Sequence, residues 1–384
     1  MSARNRTILV WVLLVLGTVV VLVGSLTLWV KRQALDTDSW VNTSSELLEN
    51  DDVRGALSIY IVDELYANLD PQETLEDQLP ENLQGLAGPI AGALRQPAVE
   101  GVDRFLQRPR VQDLWERANR AAHEALLRVL NDETRAESIS TAGGVVTLDL
   151  RTLLVNIGEE LGFGEQLESR LPETAGQITI LRSDQLEAAQ TGVKAIKVLS
   201  WVIIFVALVL FAVAVYLARK RRETLRNVGA ALLLVGILLL VIRRVVGNYI
   251  VDALSSGESV RDAIGSTWLI GTDLLAEVAW ATIIYGLVLL IGTVLAGPWG
   301  YFRRMRAWLA PNFRDRPEFG WAVLAGLYLL LILWGPVPAL RNWLGVIVLG
   351  ALIALGFEAF RRVVLGEAEG GETGRLEPPP APAA

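Results

Sequence analysis

SDQLEAAQTGVKAIKVLSWVIIFVALVLFAVAVYLARKRR, residues 183–222, decides how the rest of the chain is arranged. Ser183-Asp184 opens it, and Glu187, three positions after Asp184, completes the pattern in which the ends of a first helical turn cap each other. Val198 to Leu217 is a run of twenty predominantly apolar residues with no proline, and Arg219-Lys220-Arg221-Arg222 follows it. A helix rises about 1.5 Å per residue, so about 20 residues cross the ~30 Å hydrocarbon layer of a bilayer. The stretch from Ser183 to Leu217 is longer than that. It predicts a membrane span carrying a stalk of roughly three to four turns on the side away from the basic cluster.

The composition agrees with two environments. The chain has 384 residues, 52% of them hydrophobic, with a mean hydropathy of +0.40 and 20% charged. That is too apolar for an ordinary soluble protein and too charged to lie wholly in lipid. With no cysteine there is no disulfide, no thiolate catalysis and no Cys-ligated metal.

Five further apolar blocks flank this one. Thr7 to Val30 comes first, bounded by Arg4 and Arg6 before and Lys31-Arg32 after. It is too long for a cleaved signal peptide, whose apolar region has about 7–15 residues, and reads as an uncleaved signal anchor. Val228 to Ile242 begins the third span, which must continue past Arg243-Arg244 toward Val251 to cross the bilayer. Leu274 to Ala296, Trp321 to Trp334 and Trp343 to Phe360 complete six, with Gly335-Pro336-Val337-Pro338 as a tight turn between the last two.

Arginine and lysine set the orientation, because positive residues favour the cytoplasmic side. Arg4, Arg6, the cluster Arg219, Lys220, Arg221 and Arg222, then Arg303 to Arg316, and Arg361-Arg362 fall on one side. Both termini are therefore expected in the cytoplasm. Tryptophans at predicted span ends, such as Trp29, Trp201 and Trp321, fit an interfacial role.

The expected fold is a mostly α membrane protein: six transmembrane helices plus a helical extracytoplasmic domain with a small β element. Its segments are a cytoplasmic N-terminus (1–6), a signal anchor (7–30), an outer domain and stalk (31–197), a five-helix membrane domain (198–362) and a disordered cytoplasmic tail (363–384). Between Arg32 and Lys194 there are 29 carboxylates and 12 arginines, so the outer domain is strongly acidic although the whole chain nets only −7.

Within that domain Val53, Leu57, Tyr60, Ile61 and Leu65 lie on one helical face behind a capping Asn50. Leu114, Trp115, Ala118, Ala122, Leu126 and Val129 stripe a second helix, and five prolines between Pro71 and Pro109 divide the stretch between these helices into short pieces. Val145 to Leu150, after Gly143-Gly144, and Gln177 to Leu181 read as two strands, with a helix from Leu153 to Leu161 between them.

Few residues suggest chemistry. His123, the only histidine, shares a helix face with Trp115 and Asn119. It titrates near neutrality, yet no Ser, Cys or second His is placed to work with it, so a packing histidine is the preferred reading. Asp36-Thr37-Asp38 has the two-aspartate pattern of metal-binding sugar-nucleotide enzymes, but its place before Ser39-Trp40 favours a helix cap. Asp51-Asp52, Asp63-Glu64 and Glu76-Asp77 lack EF-hand spacing and read as solvated acidic faces.

Charges at membrane depth are costly unless paired. Glu277 is expected to pair with Arg243 or Arg244 near the outer surface, and Glu358 to reach the inner interface beside Arg361. Ala322-x3-Gly326 and Gly350-x3-Ala354 would allow close helix approach. Phe302 to Phe319 mixes arginines with Trp308 and Phe313 and suits the inner lipid surface rather than nucleic acid.

The signal anchor, Trp115-x3-Asn119-x3-His123, Val146-Thr147-Leu148-Asp149-Leu150 and Ser183-Asp184-Gln185-Leu186 together resemble a group of uncharacterised bacterial integral membrane proteins. The resemblance covers roughly Thr7 to Arg222. It implies the same topology with an extracytoplasmic domain and carries no activity.

Catalytic, cofactor-binding and metal-binding residues are thus assigned nowhere. The leading expectation is a cell-membrane protein whose outer domain binds, senses or assembles with an envelope protein or a second copy, with the lipid bilayer as its other partner. Transport or lipid handling is the alternative, and an enzyme ranks third.

Overall fold

A computed structural model describes residues 3–131, 139–140, 145–149, 177–255, 257–297, 304–305, 311, 317–334 and 343–376. The Gly143-Gly144 turn, the helix expected from Leu153 to Leu161, the turn Gly335 to Pro338, most of Phe302 to Phe319 and the last eight residues lie outside them. The chain is mostly α and divides into two compact units. One comprises Met1–Leu26, Trp201–Ile242 and Leu275–Ala384, and the other Thr27–Ser200 and Arg243–Leu274.

Among the described residues, four helices are long and apolar enough to cross a membrane. They are α1 (Ala3–Leu35), α7 (Ser183–Leu217), α8 (Arg221–Leu254) and α10 (Asp273–Leu295). The structure carries α8 unbroken through Arg243-Arg244, as the length of a span requires. The shorter apolar helix α11 (Pro317–Trp334) and α12 (Trp343–Leu376) follow. Helix α12 runs beyond Gly366, where composition suggests a disordered tail.

Backbone contact, rather than side-chain bulk, sets the spacing of the first unit. A Cβ on Gly229 would lie 2.9 Å from the Gly286 carbonyl, one on Gly286 would lie 2.7 Å from the Gly229 carbonyl, and one on Gly236 would lie 2.7 Å from the Ala279 carbonyl. Gly229 and Gly236 on α8, like Ala279 and Gly286 on α10, are seven residues apart. Two turns of helix therefore return a small residue to the same seam. Gly17 and Gly24 repeat the spacing on α1, against Phe211 and Ile203 of α7. Val10, Leu14, Phe211, Ala214 and Val228 fill the space between these helices.

Helices α10, α11 and α12 close around Leu349, which is fully buried among Tyr285, Tyr328, Leu331 and Val346. Of the two small-residue pairs expected to allow close approach, Gly350 meets the Tyr328 ring, while a side chain added at Gly326 would meet nothing. The Ala322-x3-Gly326 expectation is corrected at that position. Glu358 binds Arg361 at 3.1 Å and Arg362 at 2.9 Å on its own helix.

The second unit is built from α2 (Thr37–Glu49), α3 (Asp51–Leu69), α4 (Pro71–Gln78), a 3-10 turn (Gln84–Leu86), α5 (Ala87–Leu106), α6 (Pro109–Leu130) and α9 (Glu258–Gly271). Helix α2 packs on α6, α3 on α5, and α9 on α3 and α2. The backbones of β1 (Ile139–Ser140), β2 (Val145–Asp149) and β3 (Gln177–Arg182) pair antiparallel in that order, with a register shift between Val146 and Thr147.

Two expectations for this unit change. Asn50 does cap α3, accepting from the Val53 N–H at 3.1 Å, but the buried stripe is Arg54, Ser58 and Val62, and Tyr60 and Leu65 are exposed. The face is rotated because a buried guanidinium, not an aliphatic side chain, faces α5. The prolines also divide the chain less than expected. Pro71 and Pro109 start α4 and α6 at positions where no N–H is needed, whereas Pro97 lies inside a continuous α5.

Candidate functional site

The Asp36-Thr37-Asp38 corner and the central part of α6 form one connected set of polar contacts. Asp36 caps α2, its Oδ1 accepting from the Ser39 N–H at 2.8 Å. Asp38 accepts from Arg120 at 2.7 Å, and the Thr37 hydroxyl lies 3.1 Å from His123 Nδ1. Each residue of the would-be metal motif therefore has a structural partner, as the capping reading expects.

His123 is 3% exposed and stacks on Trp40, ring centroids 5.1 Å apart and 17° from parallel. Its Nε2 is enclosed without a hydrogen bond. Burial pushes the imidazole below its ordinary proton affinity, against the opposing pull of the Ala34 backbone and the charges of Asp36 and Glu124. The ring is thus held neutral as a packing element at the junction of α1, α2 and α6.

Trp115 and Asn119 share the helix with His123 but do different work. The Trp115 indole donates to the Ser44 carbonyl at 2.9 Å, fastening α6 to α2, while the Asn119 amide donates back to the Trp115 carbonyl. Beside Trp115 is an open cavity of about 230 Å³ lined by Leu48, Glu49, Gln112, Asp113 and Glu116. Among the described residues no cluster of His, Asp and Glu is arranged to hold a metal ion.

Arg54 was not among the sequence candidates, and it organises the α3–α5 contact. Only 6% exposed, it donates to Asp103 of α5 at 2.8 Å, to Asp51, and to the Glu49 carbonyl at 2.9 Å. Burial alone would lower its proton affinity, but the bonds to Asp51 and Asp103 outweigh burial and raise it. Asp51, three residues earlier, was the available signal, though an i, i+3 pair reads first as a surface feature.

The Arg243 corner joins α8 to α9. Arg243 donates to Thr272 Oγ1 and to the Leu269 carbonyl, both at 2.8 Å, placing a cation on the last turn of α9 where the helix dipole is negative. The Trp268 indole donates back to the Arg243 carbonyl at 3.0 Å and lies over Gly247, where a Cβ would clash with the indole ring. The bonds of Arg243 thus terminate a helix, and Arg244 is exposed.

Of the basic cluster, Arg222 donates to the Thr293 carbonyl at 2.8 Å, Lys220 pairs with Glu223 at 2.9 Å, and Arg221 lies over the Tyr216 ring. Arg219 sits with Lys220 in the bend between α7 and α8, and Arg6 donates to the Leu217 carbonyl at the end of α7. No protein family, characterised protein or solved structure matches the chain.

Proposed function

We propose that this is a multi-pass cell-membrane protein that works by binding or assembly in the envelope through its outer helical unit, with both termini cytoplasmic. In this reading α11 and α12 are the fifth and sixth spans, and the three-stranded ladder is a small β element of the outer domain. One observation carries it: α9, which connects the third and fourth spans, packs on α2 and α3, which lie between the first and second, inside one compact unit. Non-spanning segments that pack on one another, as α9 does on α2 and α3, share a side of the membrane in this reading. The polypeptide thus links the outer unit to the spans through α1, α7, α8 and α10, an arrangement suited to transmitting or anchoring a binding event.

Packing also favours assembly over transport. The α8–α10 seam is glycine against backbone, and α10, α11 and α12 meet through aliphatic and tyrosine side chains.

The test is photo-crosslinking in intact cells from exposed positions on α4, α6 and α9. Recovery of a defined protein, a second copy included, at reproducible positions supports binding or assembly. Efficient incorporation with no adduct at any position contradicts it.

A further inference from the structure

Between Arg54 and Arg95 the chain has seven carboxylates and no Lys, Arg or His. This stretch forms a lobe: the second half of α3, then α4, the 3-10 turn and the start of α5, packed on one another. Neither α4 nor the 3-10 turn contributes a buried residue. Glu64 accepts from Asn68 at 3.0 Å and Glu76 from Gln72 at 2.9 Å, so these hydrogen bonds orient the carboxylates without neutralising them. Among the described residues, Asp63 alone of these carboxylates meets a base, Arg95 at the edge.

The same lobe exposes leucines. Leu69 is 65% and Leu86 50% exposed, and Leu65 and Leu83, one turn before each, are also open. A Cβ added at Gly88 would lie 3.3 Å from the Gln72 side chain, bringing the chain just after Leu69 beside the chain just after Leu86.

The opposite end of α5 has the complementary character. Arg104, Phe105, Arg108 and Arg110 are all exposed; Arg104 lies 3.9 Å from Glu100 one turn earlier, so Arg108 and Arg110 carry the positive character, and the Arg108 guanidinium lies over the Phe105 ring, 5.8 Å from its centroid. Leu86 and Phe105 stand at the two ends of one helix, separated along its axis by roughly 28 Å at 1.5 Å per residue. Neither surface can reach the other within one chain. Lobe against lobe would repel, and so would the lobe against an anionic lipid surface.

We infer that the outer units of neighbouring copies associate head to tail, the acidic leucine lobe of one copy docking on the Arg104–Phe105–Arg108–Arg110 corner of the next. This deepens the assembly reading and rests on it. A contact between two different surfaces propagates into a ring or an open chain rather than stopping at a dimer. Desolvating leucines against phenylalanine supplies affinity, and the flanking charges supply register and on-rate.

The cysteine-free sequence makes the test clean. In cell membranes a Leu86→Cys, Phe105→Cys double variant treated with a short bismaleimide is expected to give a ladder of dimers, trimers and higher species, with each single variant giving at most background. Glu73→Lys, Glu76→Lys, Asp77→Lys together should cut the ladder about tenfold. Two copies are then co-expressed: one with this basic lobe and Leu86→Cys, the other with Arg104→Glu, Arg108→Glu, Arg110→Glu and Phe105→Cys. Restoration of a crosslinked heterodimer would also show that both variants fold.

Dimers from Leu86→Cys alone, a ladder indifferent to charge, or failure of the co-expressed pair overturns the inference. Capture of a different basic envelope protein at Leu86→Cys overturns it too, while leaving the broader assembly reading intact.

Discussion

The Ser266 hydroxyl donates to Asp52 Oδ2 at 2.7 Å, joining residues 214 positions apart and tying α9, between two long apolar helices, to α3. The bond itself is exposed and modest. It marks the longer contact of α9 with α3, in which Ala263 is buried.

Ser266→Ala is therefore expected to cost no more than about 1 kcal/mol, the net worth of one hydrogen bond. Ala263→Asp would place an unpaired carboxylate in the same contact, at roughly 2–4 kcal/mol. Proteolysis of detergent-solubilised protein should show this as earlier cleavage between Gly257 and Thr272, and equal resistance of both variants would count against the packing.

Arg54 predicts a graded series. Arg54→Ala removes the buried partner of Asp103 and three donated bonds, and should destabilise the second unit by about 3 kcal/mol. Arg54→Lys keeps the charge but not the fork, so thermal unfolding should place it between wild type and alanine. If alanine and wild type melt together, the α3–α5 contact does not depend on Arg54.

His123 gives the second unit a pH dependence of definite sign. Its proton affinity is lowered on folding, so the unfolded chain binds the proton more readily. Stability from the neutral ring is complete above the ordinary histidine value of about 6.5 and declines as pH falls below it. Asp36 and Glu124 soften the decline, and Asp38 is engaged by Arg120. Melting temperature should drop more between pH 7.5 and 5.5 for wild type than for His123→Gln, whereas parallel curves would exclude a neutral buried ring.

The seven-residue glycine seam predicts position-specific intolerance. Gly236→Leu and Gly286→Leu should each lower the yield of folded protein sharply, because the new side chains meet backbone rather than flexible atoms. Gly292→Leu, facing open space on α10, should be near neutral for yield in the same membrane preparation. Similar losses at all three positions would contradict the seam.

Much of this was legible in the chain. Hydropathic length located the four long helices, and side-chain chemistry located the Asn50 and Asp36 caps. Helix α9 is not signalled by hydropathy, because its fourteen residues are too short and too polar for a span. The α3 stripe was misplaced because periodicity ranks Tyr60 and Leu65 above Arg54, and only the distant Asp103 makes Arg54 buriable. The glycine seams repeat at spacing seven, as in Gly17 and Gly24, whereas the small-residue pairs that read most readily as packing motifs, such as Ala322-x3-Gly326, are spaced by four.

The proposed topology puts α9 and the segment between α1 and α7 on one side of the membrane and the bend between α7 and α8 on the other. Single cysteines introduced into this cysteine-free chain at the exposed positions Gln78, Asp262, Lys220 and Arg4, probed with a membrane-impermeant maleimide on intact cells, test it directly. Gln78→Cys and Asp262→Cys should label without permeabilisation, Lys220→Cys and Arg4→Cys only after it. Labelling that separates Gln78→Cys from Asp262→Cys, or joins either to Lys220→Cys, would contradict the account.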